Sequence, residues 1–143
     1  MGTDAIRLAS ELADFTDRIK VTNAVVASPS AAAETIIAQT SALGSLRSGQ
    51  SVMLDGWAAY TVGTSGTAVT LRLRQTNVSG TVIATSGALT GSQHGAGILT
   101  ADDIAGLDAS PTLGGQVYVL TMQVTAGAAT STVSAVFLRA FVL

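Results

Sequence analysis

The chain has 143 residues, of which 48% are hydrophobic and only 11% are charged, and its formal net charge is −2. This composition is too apolar for a disordered chain, and a weakly acidic protein without a basic run is poorly suited to bind nucleic acid. The absence of cysteine excludes disulfides and thiolate metal sites, and no run approaches the ~20 apolar residues of a membrane-spanning helix. We therefore expect one domain that contacts neither nucleic acid nor membrane.

Residues 3–20 are predicted to form a short amphipathic helix, capped by Thr3. Its apolar residues follow the 3-4-3-4 spacing of a coiled-coil seam. A helix this short is marginal alone, so we expect its seam to lie on the chain's own sandwich, on copies of itself or on a partner. The predicted seam consists of Ala5, Leu8, Leu12, Phe15 and Ile19, and the last four are candidate interface residues.

The pattern changes from Val21 onward, where β-favouring residues alternate with turn signals. Strands are predicted over residues 24–27, within 34–43, over 51–62 and over 81–85. In the third of these, the pair Asp55-Gly56 is interpreted as a bulge.

Residues 67–75 alternate most cleanly. Val69, Leu71 and Leu73 face one way, and Thr70, Arg72 and Arg74 face the other, which is typical of a half-buried antiparallel strand. Arg72 and Arg74 are candidate interface residues that would pair with acids of a neighbouring molecule. The alternative is a solvated strand face.

Residues 86–115 are the least regular stretch, with seven glycines and Pro111. We predict a long loop, of the kind that is often functional, with one strand near Ile98-Leu99 and a short helical turn over 102–107. Asp102 or Asp103 would cap that turn. The alternative is that these two acids and Asp108 bind a hard cation such as Ca²⁺, although their spacing matches no established calcium loop.

Two strong strands are predicted over residues 116–125 and 131–142, and the second is apolar on both faces. The total of seven or eight short strands, with no βαβ alternation, predicts an all-β fold. We expect an antiparallel jelly-roll-like β-sandwich over 23–143, behind an N-terminal helical segment over 1–22 that serves oligomerisation or docking.

Catalytic chemistry has little support in the sequence. His94 is the only histidine and its neighbours form no known motif, and no G-x-S-x-G elbow is present. We therefore predict no enzyme activity, cofactor or metal, and regard His94 as a loop residue. Trp57 and Tyr60 are an odd number of residues apart, so they should face opposite sides of their strand; an exposed aromatic ring there would suit a sugar.

The scarcity of charge also bears on assembly. Charge normally keeps the surface of a small domain soluble, so we expect part of this surface to be buried against sister subunits. The alternative is a neutral, threonine-rich surface that is soluble alone.

Residues 49–87 resemble the jelly-roll modules of tailed-phage virion proteins, in particular the head decoration (cement) family. The resemblance rests on Trp57 and Tyr60 before a Thr/Gly hairpin, on the strand over 69–74, and on its return over 80–83. It is a likeness of strand rhythm and transfers no functional residue.

The resemblance implies a homotrimer, made in the host cytoplasm, that binds the major capsid protein on the outer surface of the virion and stabilises the shell. The helical segment 1–22 would then bundle the three chains or clamp the capsid. The alternative is a receptor- or glycan-binding domain of a phage fibre or tail.

Overall fold

The computed structural model describes residues 19–22, 33–44, 46–63, 67–89, 96–125 and 131–143. Within them the chain forms eight strands: β1 Ile19–Thr22, β2 Thr35–Gln39, β3 Val52–Val62, β4 Ala68–Gln75, β5 Val82–Thr85, β6 Thr100–Asp108, β7 Tyr118–Thr125 and β8 Ser131–Val142. They form two four-stranded sheets, sheet I in the order β1-β8-β3-β6 and sheet II in the order β2-β7-β4-β5. Every neighbouring pair is antiparallel.

The pairing is nested along the chain: β1 pairs with β8, β2 with β7, β3 with β6, and β4 with β5. The chain is thus one long hairpin whose arms stay paired while the whole wraps into two layers, which is the strand order of a double-sheet jelly roll. The predicted all-β antiparallel sandwich is confirmed.

The core lies between the two sheets because alternate residues of each strand point inward. Val69, Leu71 and Leu73 of β4 are fully buried, as the alternation predicts. Gly56 of β3 is also an inward position, and a Cβ placed there would lie 3.3 Å from both methyl carbons of Leu120. The glycine therefore allows the two sheets to approach closely, and β3 runs through it without the predicted bulge.

The irregularity of sheet I lies elsewhere. Ala59 pairs with Ala135 and Tyr60 with Val133, so Ser134 of β8 has no counterpart on β3. This extra residue changes which side chains face inward, and both Val133 and Val136 are buried. The bulge thus places Val133 and Val136 on the same inner side, whereas the apolar residues on the other face of β8 are the outward Phe137 and Phe141.

The helix predicted over residues 3–20 extends too far toward the C-terminus, because strand β1 already begins at Ile19. Ile19 and Lys20 belong to β1, which pairs with the edge of β8, so the last residues of the predicted 1–22 segment are part of the sandwich. Pairing with an open sheet edge satisfies backbone groups that a helix end leaves unpaired, and β-branched residues favour a strand. Residues 3–18, the predicted strand over 24–27 and His94 lie outside the described residues.

The long loop predicted over 86–115 is wrong in its centre, since Thr100–Asp108 is a nine-residue strand. No helical turn forms over 102–107. The inward positions of β6 include Asp102, Gly106 and Asp108, so the apolar alternation that would reveal a strand is broken. At Gly106 a Cβ would lie 2.9 Å from the Cβ of Ala84 in the opposite sheet, which is too close, so glycine is favoured at this position.

Candidate interaction surface

The outer face of sheet I carries a cluster of aromatic and charged side chains. Trp57 of β3 and Phe137 of β8 lie opposite each other, and their rings stack with centroids 6.0 Å apart and an interplanar angle of 22°. The guanidinium carbon of Arg139 lies 4.9 Å from the centroid of the Phe137 ring, and Arg139 Nη2 pairs with the carboxylate of Asp55. We call Asp55, Trp57, Phe137 and Arg139 the aromatic cluster.

The pleat of the sheet places these residues together. Asp55 and Trp57 are two apart on β3, Phe137 and Arg139 are two apart on β8, and residues two apart share a face. Asp55 is in register with Arg139 in the same way that Trp57 is with Phe137. As predicted, Tyr60 faces the opposite way: it is fully buried while Trp57 is partly exposed.

The cluster is stabilised mainly by contacts between rings and charge. An aromatic pair of this kind contributes about 0.5–1.5 kcal/mol beyond the area it buries, and an exposed cation–π contact contributes about 0.5–1 kcal/mol. The Asp55–Arg139 pair adds little because both side chains remain partly exposed. The result is an ordered platform whose rings are held in place yet reach solvent.

The sequence did not reveal Asp55, Phe137 or Arg139 as site residues. A usable signal was present, since an aromatic residue and a charge recur two positions apart in both strands. This signal could not be used because the sequence does not show the bulge at Ser134. That bulge decides which residues of β8 lie on the same face as Asp55 and Trp57.

A second, polar cluster lies on the outer face of sheet II. Glu34, just before β2, accepts hydrogen bonds from Arg74 Nε at 2.6 Å and Nη2 at 2.9 Å, and from Arg72 Nη1 at 3.2 Å. The Thr121 hydroxyl also donates to Glu34, and Arg72 Nη1 donates to Gln123 Oε1 at 2.9 Å. The two arginines predicted to pair with a neighbouring molecule thus pair within their own chain, and their interface role stays a prediction.

This network makes stability depend on pH. Burial raises the pKa of the Glu34 carboxyl, but hydrogen bonds from Arg74 and Thr121 and the charges of Arg74 and Arg72 outweigh it, so the pKa lies below its ordinary value of 4.5. Because the folded pKa is the lower one, the charged network stabilises the fold above the unfolded pKa, and this contribution is lost as pH falls through the folded pKa.

We expect Glu34→Gln to lower the free energy of unfolding at pH 7 by about 1–2 kcal/mol. The difference from the wild type should shrink as pH falls through the lowered pKa of folded Glu34, because the wild-type carboxyl then also becomes protonated. Urea unfolding of both proteins at several pH values measures this. Asp103→Asn, at an exposed carboxyl, is the matched control, and an equal effect of the two substitutions would contradict the role of the network.

Two of the three acids considered as cation ligands, Asp102 and Asp108, accept hydrogen bonds from groups of their own chain. Asp108, which is 5% exposed, accepts hydrogen bonds from Tyr118 Oη at 2.8 Å, Gln75 Nε2 at 2.6 Å and the Ser110 backbone N–H at 3.0 Å. Asp102 accepts one from the Tyr60 hydroxyl. Burial, together with these acids, raises the pKa of Tyr60 and that of Tyr118.

The described residues contain no group of three or more histidines and acids placed to hold a metal ion. Nor does any helix among them have the length and hydrophobicity of a membrane span. One surface cavity of about 350 Å³ lies where β6 ends and β3 begins, and Arg47 is the single charged side chain among its described lining residues. The partly exposed, stacked rings of the aromatic cluster make the outer face of sheet I the candidate functional surface.

No protein-family model matches the sequence, and no curated protein matches it. Similar folds do occur among solved structures of infectious bursal disease virus. They include the VP2 subviral particle (TM-score 0.57, 12% identity), T=1 particles derived from a VP2 mutant (0.55, 12%) and the Gx strain of the virus (0.52, 13%). Each match covers 87% of this chain but 32% of the viral chain, so this chain spans about a third of that length. At such identity the likeness establishes the fold alone.

Proposed function

We propose that this chain is a structural virion protein, without enzymatic activity, that forms homotrimers and decorates the outer surface of a capsid. The observation that carries the proposal is the aromatic cluster. Tryptophan and arginine are enriched among the residues that dominate binding energy at protein interfaces. Here both lie partly exposed on the outer face of sheet I, where another subunit can cover them.

The fold supports the same proposal. The similar fold belongs to VP2, which forms a subviral particle. The described residues of the two sheets are ordered by hydrogen bonds between strands, and a surface that is ordered before binding loses less conformational entropy when it binds.

The proposed mechanism is mechanical. Contacts of standard size bury on the order of 800 Å² on each partner, and a trimer seated between capsomers adds such contacts across their boundaries. Binding to the major capsid protein would then hold neighbouring capsomers together without any chemical step.

We expect the purified protein to have a mass of about three times the 14.3 kDa of one chain. Trp57→Ala should weaken the trimer at least about tenfold, because removing a central aromatic residue from an interface commonly costs more than 1.4 kcal/mol. Sedimentation equilibrium over a range of concentrations measures both. Val78→Ala, at an exposed residue of the turn after β4, is the control and should leave the mass unchanged.

A wild-type protein that stays monomeric at all concentrations would refute the trimer. Binding to the capsid is tested separately, by sedimenting the protein with shells from the virus that encodes it, purified without this protein. Failure to sediment with those shells would refute the decoration role even if the trimer forms.

A receptor- or glycan-binding domain of a phage fibre or tail is the second candidate, and one observation favours it. The nearly parallel rings of Trp57 and Phe137 lie beside Asp55, and Asp103 lies opposite Trp57 on β6. Aromatic faces bordered by carboxylates are suited to sugars. Binding on a glycan array that Trp57→Ala abolishes and Val78→Ala preserves would favour this candidate over the first.

A further inference from the structure

The surface cavity of about 350 Å³ lies at one end of the sandwich, and none of its described lining residues belongs to the aromatic cluster. One wall is the segment 47–50, which leads into β3, and the other is formed by residues of the segment 109–113, which follows β6. The two segments meet because Val52, at the start of β3, is in register with Asp108, at the end of β6.

Hydrogen bonds within the chain hold both walls in place. The Arg47 backbone N–H donates to Gln50 Oε1 at 2.7 Å, and the Gln50 backbone N–H donates to the Arg47 carbonyl at 3.2 Å. On the other wall the Ser110 backbone N–H donates to Asp108 Oδ1 at 3.0 Å. A ligand that enters a cavity with ordered walls loses less free energy to the ordering of the protein.

The charge of Arg47 is not neutralised within the described part of the chain. The other arginines whose side chains are described all pair with carboxylates of their own chain. Arg47 is exposed, and no hydrogen bond or ion pair joins its guanidinium to a described residue. Asp108 is not among the described lining residues, and its carboxylate already accepts three hydrogen bonds. The cavity therefore presents one positive charge to a ligand.

The lining indicates the chemistry of that ligand. A guanidinium accommodates a carboxylate through two parallel hydrogen bonds, whereas a phosphate carries nearly two negative charges and is commonly met by a cluster of arginines. Ala109, Pro111 and Leu113 give the opposite wall an apolar character, and Leu113 is 52% exposed. The cavity thus favours a carboxylate with an apolar group beside it.

The surroundings of the cavity favour a protein as the source of this carboxylate. Leu107, two residues before the wall at Ala109, is 53% exposed, and Met53, its partner in register, is 47% exposed. Exposed apolar side chains that lie together mark interaction surfaces. A free acid confined to the cavity would leave these two side chains uncovered, whereas a chain segment that passes through the cavity would cover them.

We infer that this cavity binds an acidic side chain of a partner protein, with its carboxylate on Arg47 and an apolar neighbour of the acidic residue on Leu113. The inference goes beyond the proposed function, because the cavity is separate from the aromatic cluster and this binding requires neither a trimer nor a virion.

Nuclear magnetic resonance of the full-length chain at pH 7 tests the inference with the blocked dipeptide acetyl-glutamyl-leucinamide. We expect saturable shifts of the amide signals of residues 47–50 and 109–113, with a dissociation constant in the millimolar range because the pair is exposed to solvent. The neutral dipeptide acetyl-glutaminyl-leucinamide has the same shape and should bind about fivefold more weakly or worse.

Variants at Arg47 locate the effect. Arg47→Gln should weaken binding of the acidic dipeptide to the level of the neutral one, and Arg47→Lys should give an intermediate affinity because it keeps the charge but loses the two parallel hydrogen bonds. Val78→Ala, at the turn after β4, is the control and should bind as the wild type does. Unchanged amide signals outside the cavity establish that each variant is folded.

Equal binding of the two dipeptides, shifts outside the cavity, or a variant Arg47→Gln that binds like the wild type would overturn the inference. Binding of free 4-methylpentanoate at least as tight as that of the acidic dipeptide would assign the cavity to a small acid and would likewise overturn it. The mass of the wild-type protein and its sedimentation with shells test the proposed function independently of these results.

Discussion

Asp108→Ala should lower the free energy of unfolding by about 3–4 kcal/mol. The Asp108 carboxylate is nearly buried and accepts hydrogen bonds from the Tyr118 hydroxyl, the Gln75 amide and the Ser110 backbone N–H. Removing it leaves these donors without their partner, and a buried unsatisfied donor costs about 1–3 kcal/mol. Denaturant unfolding measures the loss, and an unchanged m-value shows that the same surface is exposed on unfolding.

Two further variants make this result specific. Tyr118→Phe removes one of the three donors and should cost about 1 kcal/mol. Asp103→Ala removes an exposed carboxylate from the same strand and should change stability by less than about 0.5 kcal/mol. If Asp108→Ala were no more destabilising than Asp103→Ala, the hydrogen bonds of the buried carboxylate would not contribute to stability.

Leu120→Ala should lower the free energy of unfolding by about 3–4 kcal/mol, because Leu120 is fully buried between the sheets and its loss leaves a cavity. The structure also predicts a specific rescue. A Cβ at Gly56 would lie 3.3 Å from the methyl carbons of Leu120, which is tight in the wild type. After Leu120→Ala the same Cβ would enter the space that the leucine vacates.

A double-mutant cycle tests this coupling. Gly56→Ala should be destabilising in the wild type but less so in the Leu120→Ala background, with a coupling of about 1 kcal/mol or more. Leu99→Ala, at a residue that is 64% exposed, is the control and should show no coupling with Gly56→Ala. Strict additivity at Gly56 and Leu120 would mean that the two sheets do not meet at these residues.

Much of the sandwich follows from local pattern. The alternation in β4 places Val69, Leu71 and Leu73 in the core, as predicted. The same rule separates Trp57 from Tyr60. These positions could be predicted because their apolar and polar residues alternate with the period of the backbone.

The prediction failed where an inward position is not apolar. Asp102 and Asp108 suggested a cap or a cation site, yet they face inward and bind the hydroxyls of Tyr60 and Tyr118. Asp102 is 42 residues from Tyr60, and Asp108 is 10 residues from Tyr118, so in both pairs the tyrosine belongs to a different strand and the pattern within β6 does not show it. For this reason strand β6 was not predicted.

The sequence by itself determined the fold class, since period-two patterns and closely spaced turns are local properties of the chain. The tertiary structure decided the outer surface, because which face a strand presents depends on register. One unpaired residue, Ser134, shifts the facing of β8 and thereby brings Phe137 and Arg139 beside Trp57 and Asp55. A register is set by the partner strand, and no pattern within one strand contains it.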